Sequence, residues 1–173
     1  MDFDRKAFLK EAEAVVLRGL AKGYASGAKA IPVPGNPNAK YYEYTEGPWY
    51  LRDDYEIDPV TKKSIGRVRL EHTSDEYPNR LVWAMSYGGQ YEKDAVPCLK
   101  AALMANYEKG VFNFGRGLNE YVQGDYVYMI ASMGPPTFEK FFAREGIVRR
   151  VGSTDYEIPK HVGGHAVWGM ALV

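Results

Sequence analysis

The chain has 173 residues, with 22 basic and 22 acidic side chains and therefore a formal net charge of zero. This length suits a single domain, 1–173, whose core needs neither disulfides nor a metal. The balanced charge provides no basic surface for direct contact with nucleic acid or an anionic membrane. Cys98 is the only cysteine, so we expect no internal disulfide, and a cytoplasmic location is the simplest interpretation. The charged N-terminal residues predict neither a signal peptide nor a membrane span.

The first predicted element is an amphipathic helix over residues 4–22. Apolar side chains recur at three- and four-residue spacing, with Lys and Glu between them. Asp4 or Asp2 could cap its start, and Gly23 or Gly27 could end it.

Residues 28–40 contain three prolines and a glycine. This composition forbids a helix and discourages a central strand, so we expect an extended surface loop. Such a loop could be a plain connector, or a lid or binding loop, because long structured loops are often functional.

From Tyr41 the hydrophobic period changes to two. The segment 41–55 predicts two strands around a turn at 46–48, residues 66–72 alternate cleanly, and residues 81–87 place every second side chain on one face. This part of the chain therefore predicts an antiparallel meander with one solvated side.

A second helix is predicted over residues 94–109. Asp94 is its candidate cap, Pro97 lies in its first turn, and Gly110 ends it. The remaining chain predicts mostly strands, among them one at 155–158, with a turn and at most one helical turn at 134–142.

These elements predict an α+β fold. We expect a curved, mostly antiparallel sheet of roughly six to nine strands with two main helices packed on one face. A half-open barrel is an alternative, because many short strands with glycine breaks favour curvature. Two segments, 65–89 and 142–164, share a weak pattern of strand, polar turn, strand and Gly-Gly, which would place two similar hairpins in one sheet.

Short motifs in a fixed order resemble a bacterial family, domain of unknown function 5680. The matching positions run from helix 4–22 to the final glycine pair: Phe8-Leu9, Tyr24-Ala25, Tyr44, Gly47, Trp49, Arg52, Asp53, Trp83, Met85, Tyr87, Gly88, Arg116-Gly117, Glu145, Tyr156 and Gly163-Gly164. Two Gly-x-Glu motifs of the family are incomplete here, because Val68 replaces the first glutamate and Ala143 replaces the second glycine. The resemblance implies a compact domain, attached in some relatives to a helix-turn-helix regulator, and no known reaction.

Three polar positions stand out as candidate site residues. Strand alternation places Asp53 on the same face as Trp49, with Arg52 on the other face, and a buried Asp could serve as a base or orient a ligand. Arg116 lies between two glycines, which would let a carboxylate or phosphate approach its guanidinium. The alternatives are a structural ion pair for Asp53 and a surface turn for Arg116.

The histidines of "HVGGH", His161 and His165, have the spacing of a zinc site on a helix, but the glycines between them disfavour a helix. We therefore predict no metal and no cofactor, and one histidine lining a pocket.

Aromatic residues provide the strongest functional pattern. Core packing is the favoured interpretation for Trp83, whereas Tyr87 next to Gly88-Gly89 could form the rim of a hollow beside Trp49. The predicted ligand-binding residues are Tyr44, Trp49, Arg52, Asp53, Trp83, Tyr87, Arg116, Glu145 and His161.

The sequence favours a small-molecule-binding module of the effector type, with an aromatic pocket. Two alternatives stay open. One is a protein-interaction module, including a homodimer, and the other is a small hydrolase or isomerase that uses Asp53 or Glu145.

Overall fold

The computed structural model describes residues 3–74, 79–132, 134–150 and 158–173. Two helices and nine strands follow one another in this order: α1 (Arg5–Lys22), β1 (Ile31–Val33), β2 (Asn36–Glu46), β3 (Trp49–Ile57), β4 (Ser64–His72), β5 (Arg80–Tyr91), α2 (Val96–Lys109), β6 (Glu120–Gln123), β7 (Tyr126–Ser132), β8 (Lys140–Arg149) and β9 (Lys160–Ala171). Short 3₁₀ turns at Tyr24–Ser26 and Lys93–Ala95 follow α1 and precede α2. The predicted strand at 155–158 lies almost entirely outside the described residues.

The strands form a single antiparallel sheet in the order β1-β2-β3-β4-β5-β9-β8-β7-β6. Within the described ranges β1 and β6 are its two edges, so the sheet is open. Helix α1 packs on β2 and β3, α2 packs on β6 and β7, and the helices contact each other. We call the helix-covered side of the sheet the inner face and the other side the outer face. The predicted α+β fold, with a curved antiparallel sheet and two helices, is confirmed.

The ends of α1 are those predicted from its sequence. Asp4 is the N-cap, and its carboxylate accepts a hydrogen bond from the Ala7 amide at 3.0 Å. Gly23 follows the last turn, and its amide donates to the Leu20 carbonyl. A whole stripe of α1 is buried, since Ala12, Val16 and Leu20 recur at four-residue spacing.

The start of α2 differs from the prediction. Ala95, not Asp94, occupies the N-cap position, and no side chain caps the helix there. Pro97 lies in the first turn, where a missing amide costs little. Gly110 ends the helix in the left-handed conformation at φ 65°, as expected.

The prediction of an extended loop over residues 28–40 is wrong, because this segment contains the β1–β2 hairpin. Pro32 pairs with Lys40, and Gly35 makes the turn at φ 79°. Pro32 is tolerated because β1 is an edge strand, where a missing amide need not break a ladder on both sides, and Pro37 lies in β2 before its pairing with β3 begins at Ala39. Residues 134–139 contain no helical turn, in agreement with the expectation of at most one, and β8 begins at Lys140.

The hairpins β4–β5 and β8–β9 lie side by side in the centre of the sheet. They meet where β5 pairs with β9, from Trp83↔Ala171 to Tyr91↔Gly163. This junction places the inner faces of β5, β8 and β9 opposite α2 and the turn that follows it, which is where the candidate site forms.

None of the helices among the described residues combines the length and hydrophobicity that a bilayer span needs.

Candidate functional site

A cavity lies between the inner face of the sheet and the two helices. Leu99 and Leu103 of α2 form one wall, and strands β3, β5 and β9 form the other. The volume of the cavity is about 120 Å³. Exposed Ile57 and Lys62 lie at its rim, so the cavity reaches solvent at one end and buried groups at the other.

Arg116 and Glu145 form a buried ion pair in this region. Arg116 Nε lies 3.0 Å from Glu145 Oε2, and Nη2 lies 2.5 Å from Oε1. Tyr128 donates a third hydrogen bond to Oε2 at 2.8 Å. Burial by itself would raise the pKa of Glu145, but the charge of Arg116 and the nearby His165 hold it well below its usual range. Glu145 is therefore a permanent anion with its acceptors occupied.

The turn after α2 holds Arg116 in place. Asn106 Nδ2 donates to the Arg116 carbonyl at 2.9 Å, and the Tyr107 hydroxyl donates to the Gly115 carbonyl at 3.0 Å. Phe114 and Gly115 have positive φ angles of 57° and 64°, so the chain reverses there and returns toward the sheet. Two side chains of α2 thus fix the backbone that carries the guanidinium.

Asp53 is a second buried carboxylate, on the inner face of β3. Its Oδ1 accepts a hydrogen bond from the Tyr87 hydroxyl at 2.8 Å. Burial raises the pKa of Asp53 to about 6, although the Tyr87 hydrogen bond and the Arg116 charge both act to lower it. The group is therefore mostly ionised at neutral pH and mostly protonated below pH 6.

His165 and Tyr91 complete the buried end of this region. Ser64 Oγ lies 3.1 Å from His165 Nε2, while His165 Nδ1 lies 3.2 Å from Glu145 Oε1 without hydrogen-bond geometry. The Tyr91 ring meets the His165 imidazole edge to face at 4.8 Å. Its buried hydroxyl has no hydrogen-bond partner within the described ranges. Buried polar atoms usually have partners, so the Tyr91 hydroxyl is a candidate contact for a ligand, whereas His165 Nδ1 already faces Glu145.

Gly66 makes room for the Tyr87 ring. Gly66 faces Tyr87 across the β4–β5 ladder, and a Cβ atom at this position would overlap the ring. The absence of a side chain lets the ring lie over β4, with its hydroxyl directed at Asp53. This is the glycine of the incomplete first Gly-x-Glu motif, and Val68, at the glutamate position, is buried in the core.

The structure brings four of the nine predicted site residues together. Asp53, Tyr87 and Arg116 line the cavity, and Glu145 binds Arg116 directly behind it. Burial of Asp53 on the same face as Trp49 follows the predicted alternation of β3.

The other predicted residues lie elsewhere. The Trp49 indole is covered by α1, where it packs against Phe8 at 5.0 Å and donates to Glu11 at 2.9 Å. Trp83 is fully buried, stacks on Phe138 and donates to its carbonyl. Helix α1 therefore fills the space beside Trp49 where a hollow was expected. The cavity lies beside Tyr87 and does not reach Trp49.

Tyr44 and Arg52 make surface interactions. Tyr44 lies against Gly19 of α1 and donates to Glu46. Arg52 points to the outer face, where it pairs with Asp54 at 2.7 Å and covers the Tyr41 ring. Neither side chain lines the cavity, because Tyr44 packs on α1 and Arg52 follows the outward half of the β3 alternation.

His161 is exposed and lies away from the cavity because of a β-bulge. Ile147 pairs with Gly163 and Val148 pairs with His161, so Val162 is an extra residue in β9. The bulge puts His161 on the outer face and leaves His165 on the inner face, although the two are four residues apart. Among the residues that the structure describes, no group of three or more His, Cys, Asp or Glu side chains could hold a metal ion.

Several cavity residues were missed from the sequence. Tyr55 and Tyr91 lie two and four residues beyond Asp53 and Tyr87, so strand alternation could have identified them. Tyr107 lies on the predicted apolar stripe of α2. His165 was one of the two candidate histidines and Tyr24 a position of the family resemblance, but a bulge and a 3₁₀ turn determine the directions of their side chains, which local sequence does not reveal.

Comparisons of the chain with protein-family models, curated proteins and solved structures return no match.

Proposed function

We propose that the protein is a small-molecule-binding module of the effector type, with its ligand in the cavity between the helices and the sheet. One observation carries this proposal: an open cavity ends on the buried Asp53 carboxylate, which accepts one side-chain hydrogen bond from Tyr87, and on the Tyr91 hydroxyl, which has no hydrogen-bond partner among the described residues. Apolar walls with a few convergent polar groups are typical of ligand sites. The sequence resemblance to domains attached in some relatives to helix-turn-helix regulators supports the same proposal.

The cavity suits a compact ligand. An engineered apolar cavity of about 150 Å³ can bind benzene, so a cavity of about 120 Å³ suits a small organic molecule. Leucine and tyrosine side chains would contact its carbon groups, and the inner polar end would orient it.

A thermal-shift screen with a library of small metabolites tests this proposal. A compound that binds the folded chain raises its melting temperature. Ala25, half-buried at the cavity wall, provides a blocking variant, since Ala25→Phe would place a ring in the free space. We expect at least one compound to stabilise the native protein and to lose its effect on A25F.

The matched control is Ala28→Phe, the same change at an exposed position three residues later and outside the cavity. A28F should bind as the native protein does. Absence of any stabilising compound, or equal binding by A25F, would contradict the proposal.

An apolar cluster on the outer face favours a second candidate function, a homodimer. Phe142 and Trp168 are paired across β8 and β9, and with Met170 they are 43%, 52% and 38% exposed. Zero formal net charge gives little repulsion between two copies, and exposed apolar patches often mark interfaces.

Light scattering should then show a dimer for the native chain and a monomer for Trp168→Ser. A dimer should persist for the control Val60→Ser, on the exposed β3–β4 turn; a native monomer at all concentrations contradicts this candidate.

A further inference from the structure

The charges at the buried end of the cavity are unbalanced. Two carboxylates, Asp53 and Glu145, lie near a single guanidinium, Arg116. Glu145 accepts two hydrogen bonds from Arg116 and a third from Tyr128. Asp53 has only the uncharged hydroxyl of Tyr87 as a donor among the described side chains. A buried anion is costly unless a counter-charge is near, so this arrangement favours a cation in the free space.

The other charged groups around Asp53 do not supply that cation. Lys62 lies in the exposed turn at the rim, and its ammonium donates to the Pro59 carbonyl at 2.6 Å. Asp54, on the outer face, adds a second negative charge that raises the pKa of Asp53. The titratable groups that surround the region from the remaining elements are Tyr24, Tyr42, Tyr55, Tyr91, Tyr107 and His165.

The tyrosines around the cavity already hold cations. Lys100 Nζ lies 4.5 Å from the centre of the Tyr24 ring, and Arg116 Cζ lies 5.1 Å from the centre of the Tyr87 ring. Aromatic rings attract cations through their negative faces. Both contacts show that rings of the cavity wall accept cationic groups, which is the type of contact that an ammonium ligand would make.

We propose that the cavity binds a small organic cation of the ammonium class. Its charge lies against the carboxylate of Asp53, and its carbon groups contact the tyrosine and leucine walls. This inference rests on the proposed function, because it names the chemical class of the cavity ligand. An anionic ligand would lie beside the Asp53 carboxylate, and a neutral one would leave Asp53 only the guanidinium of Arg116 as a counter-charge, which Glu145 already binds.

The probes are choline and ethanolamine as cations, 3,3-dimethylbutan-1-ol as a neutral compound with the shape of choline, and 3,3-dimethylbutanoate as an anion. Titration calorimetry at about pH 8 measures their affinities for the whole chain. We expect at least one cation to bind about tenfold or more tightly than the neutral compound, and the anion not to bind.

Two neighbouring substitutions make the test specific to Asp53. Asp53→Asn should abolish the preference for the cation over the neutral compound, whereas Asp54→Asn, the same change on the outer face, should keep it. Circular dichroism establishes that both variants are folded. Choline keeps its charge at every pH, so its affinity should be about tenfold weaker at pH 5 than at pH 7, because protons compete for a carboxylate with a pKa of about 6. In D53N this pH dependence should be absent.

The outcomes separate this inference from the proposed function. Binding of the neutral or anionic probe, lost in A25F, with no preference for either cation, overturns the cation assignment and leaves the ligand-binding function intact. Equal cation binding by D53N and the native chain also overturns it. If neither these probes nor the metabolite library binds, both proposals are wrong.

Discussion

Asp53 and Glu145 are both carboxylates on the inner face of the same sheet, and they are 6% and 4% exposed. Burial raises the pKa of each, but the two pKa values move in opposite directions overall. Glu145 is bound by Arg116 and Tyr128 and has His165 beside it, whereas Asp53 has the single hydroxyl of Tyr87. Although the two carboxylates are equally buried, Glu145 stays ionised in its ion pair, whereas Asp53 titrates and can still bind another group. The difference comes from the charged and hydrogen-bonding side chains beside each carboxylate.

The largest expected effect comes from breaking the buried ion pair between Glu145 and Arg116. Glu145→Gln leaves the buried guanidinium of Arg116 without its counter-charge, and such losses cost about 3–5 kcal/mol of unfolding free energy. Urea denaturation followed by tryptophan fluorescence measures the change.

The matched control is Glu139→Gln, which breaks the exposed ion pair between Arg5 and Glu139. We expect a cost of no more than about 1 kcal/mol there. Equal losses in the two variants would contradict the role that we assign to burial.

The second effect concerns Asp53 and depends on pH. Because its folded-state pKa is raised from 3.8 to about 6, the folded chain retains a proton that the unfolded chain has already released between these values. The native protein therefore loses stability as the pH rises through this window, by roughly 3 kcal/mol for a shift of this size. The amide side chain of D53N does not titrate. The unfolding free energy of D53N minus that of the native protein should therefore rise by about that amount from pH 4 to pH 7.

Denaturation at several pH values measures this difference, and Asp54→Asn should show no comparable rise. A D53N-minus-native difference that stays constant with pH would mean that the Asp53 pKa is not raised.

The smallest expected effect comes from removing the hydroxyl of Tyr87, the one side chain that donates a hydrogen bond to Asp53 among the described residues. Tyr87→Phe removes the hydroxyl donor, so the Asp53 pKa should rise further and the protein should lose about 1 kcal/mol at pH 8. Carboxyl chemical shifts measured by NMR over a pH series report the pKa directly. The control is Tyr50→Phe, which removes an exposed hydroxyl that donates to Glu43 at 3.2 Å. It should leave the Asp53 pKa and the stability of the protein unchanged. An unchanged Asp53 pKa in Y87F would refute the hydrogen bond between Tyr87 and Asp53.

Local patterns were sufficient for much of the fold. The boundaries of α1, the end of α2, the β2–β3 turn and the inward direction of Asp53 all follow from helical or strand periodicity and from capping residues. The segment with three prolines misled the prediction, because proline excludes a strand only where both sides of the ladder are needed. Edge position in a sheet is a property that adjacent residues do not reveal.

The site itself depended on contacts between distant parts of the chain. Strand alternation places both Trp49 and Asp53 inward, but only the packing of α1 decides that Trp49 is covered while Asp53 remains beside free space. Arg116 reaches Glu145 across 29 positions of sequence, and the extra residue Val162 decides that His165, not His161, faces inward. Backbone sterics act over a few residues and fix the period of each element, whereas the convergence of side chains on a cavity depends on how helices and strands pack, which no short stretch of sequence encodes.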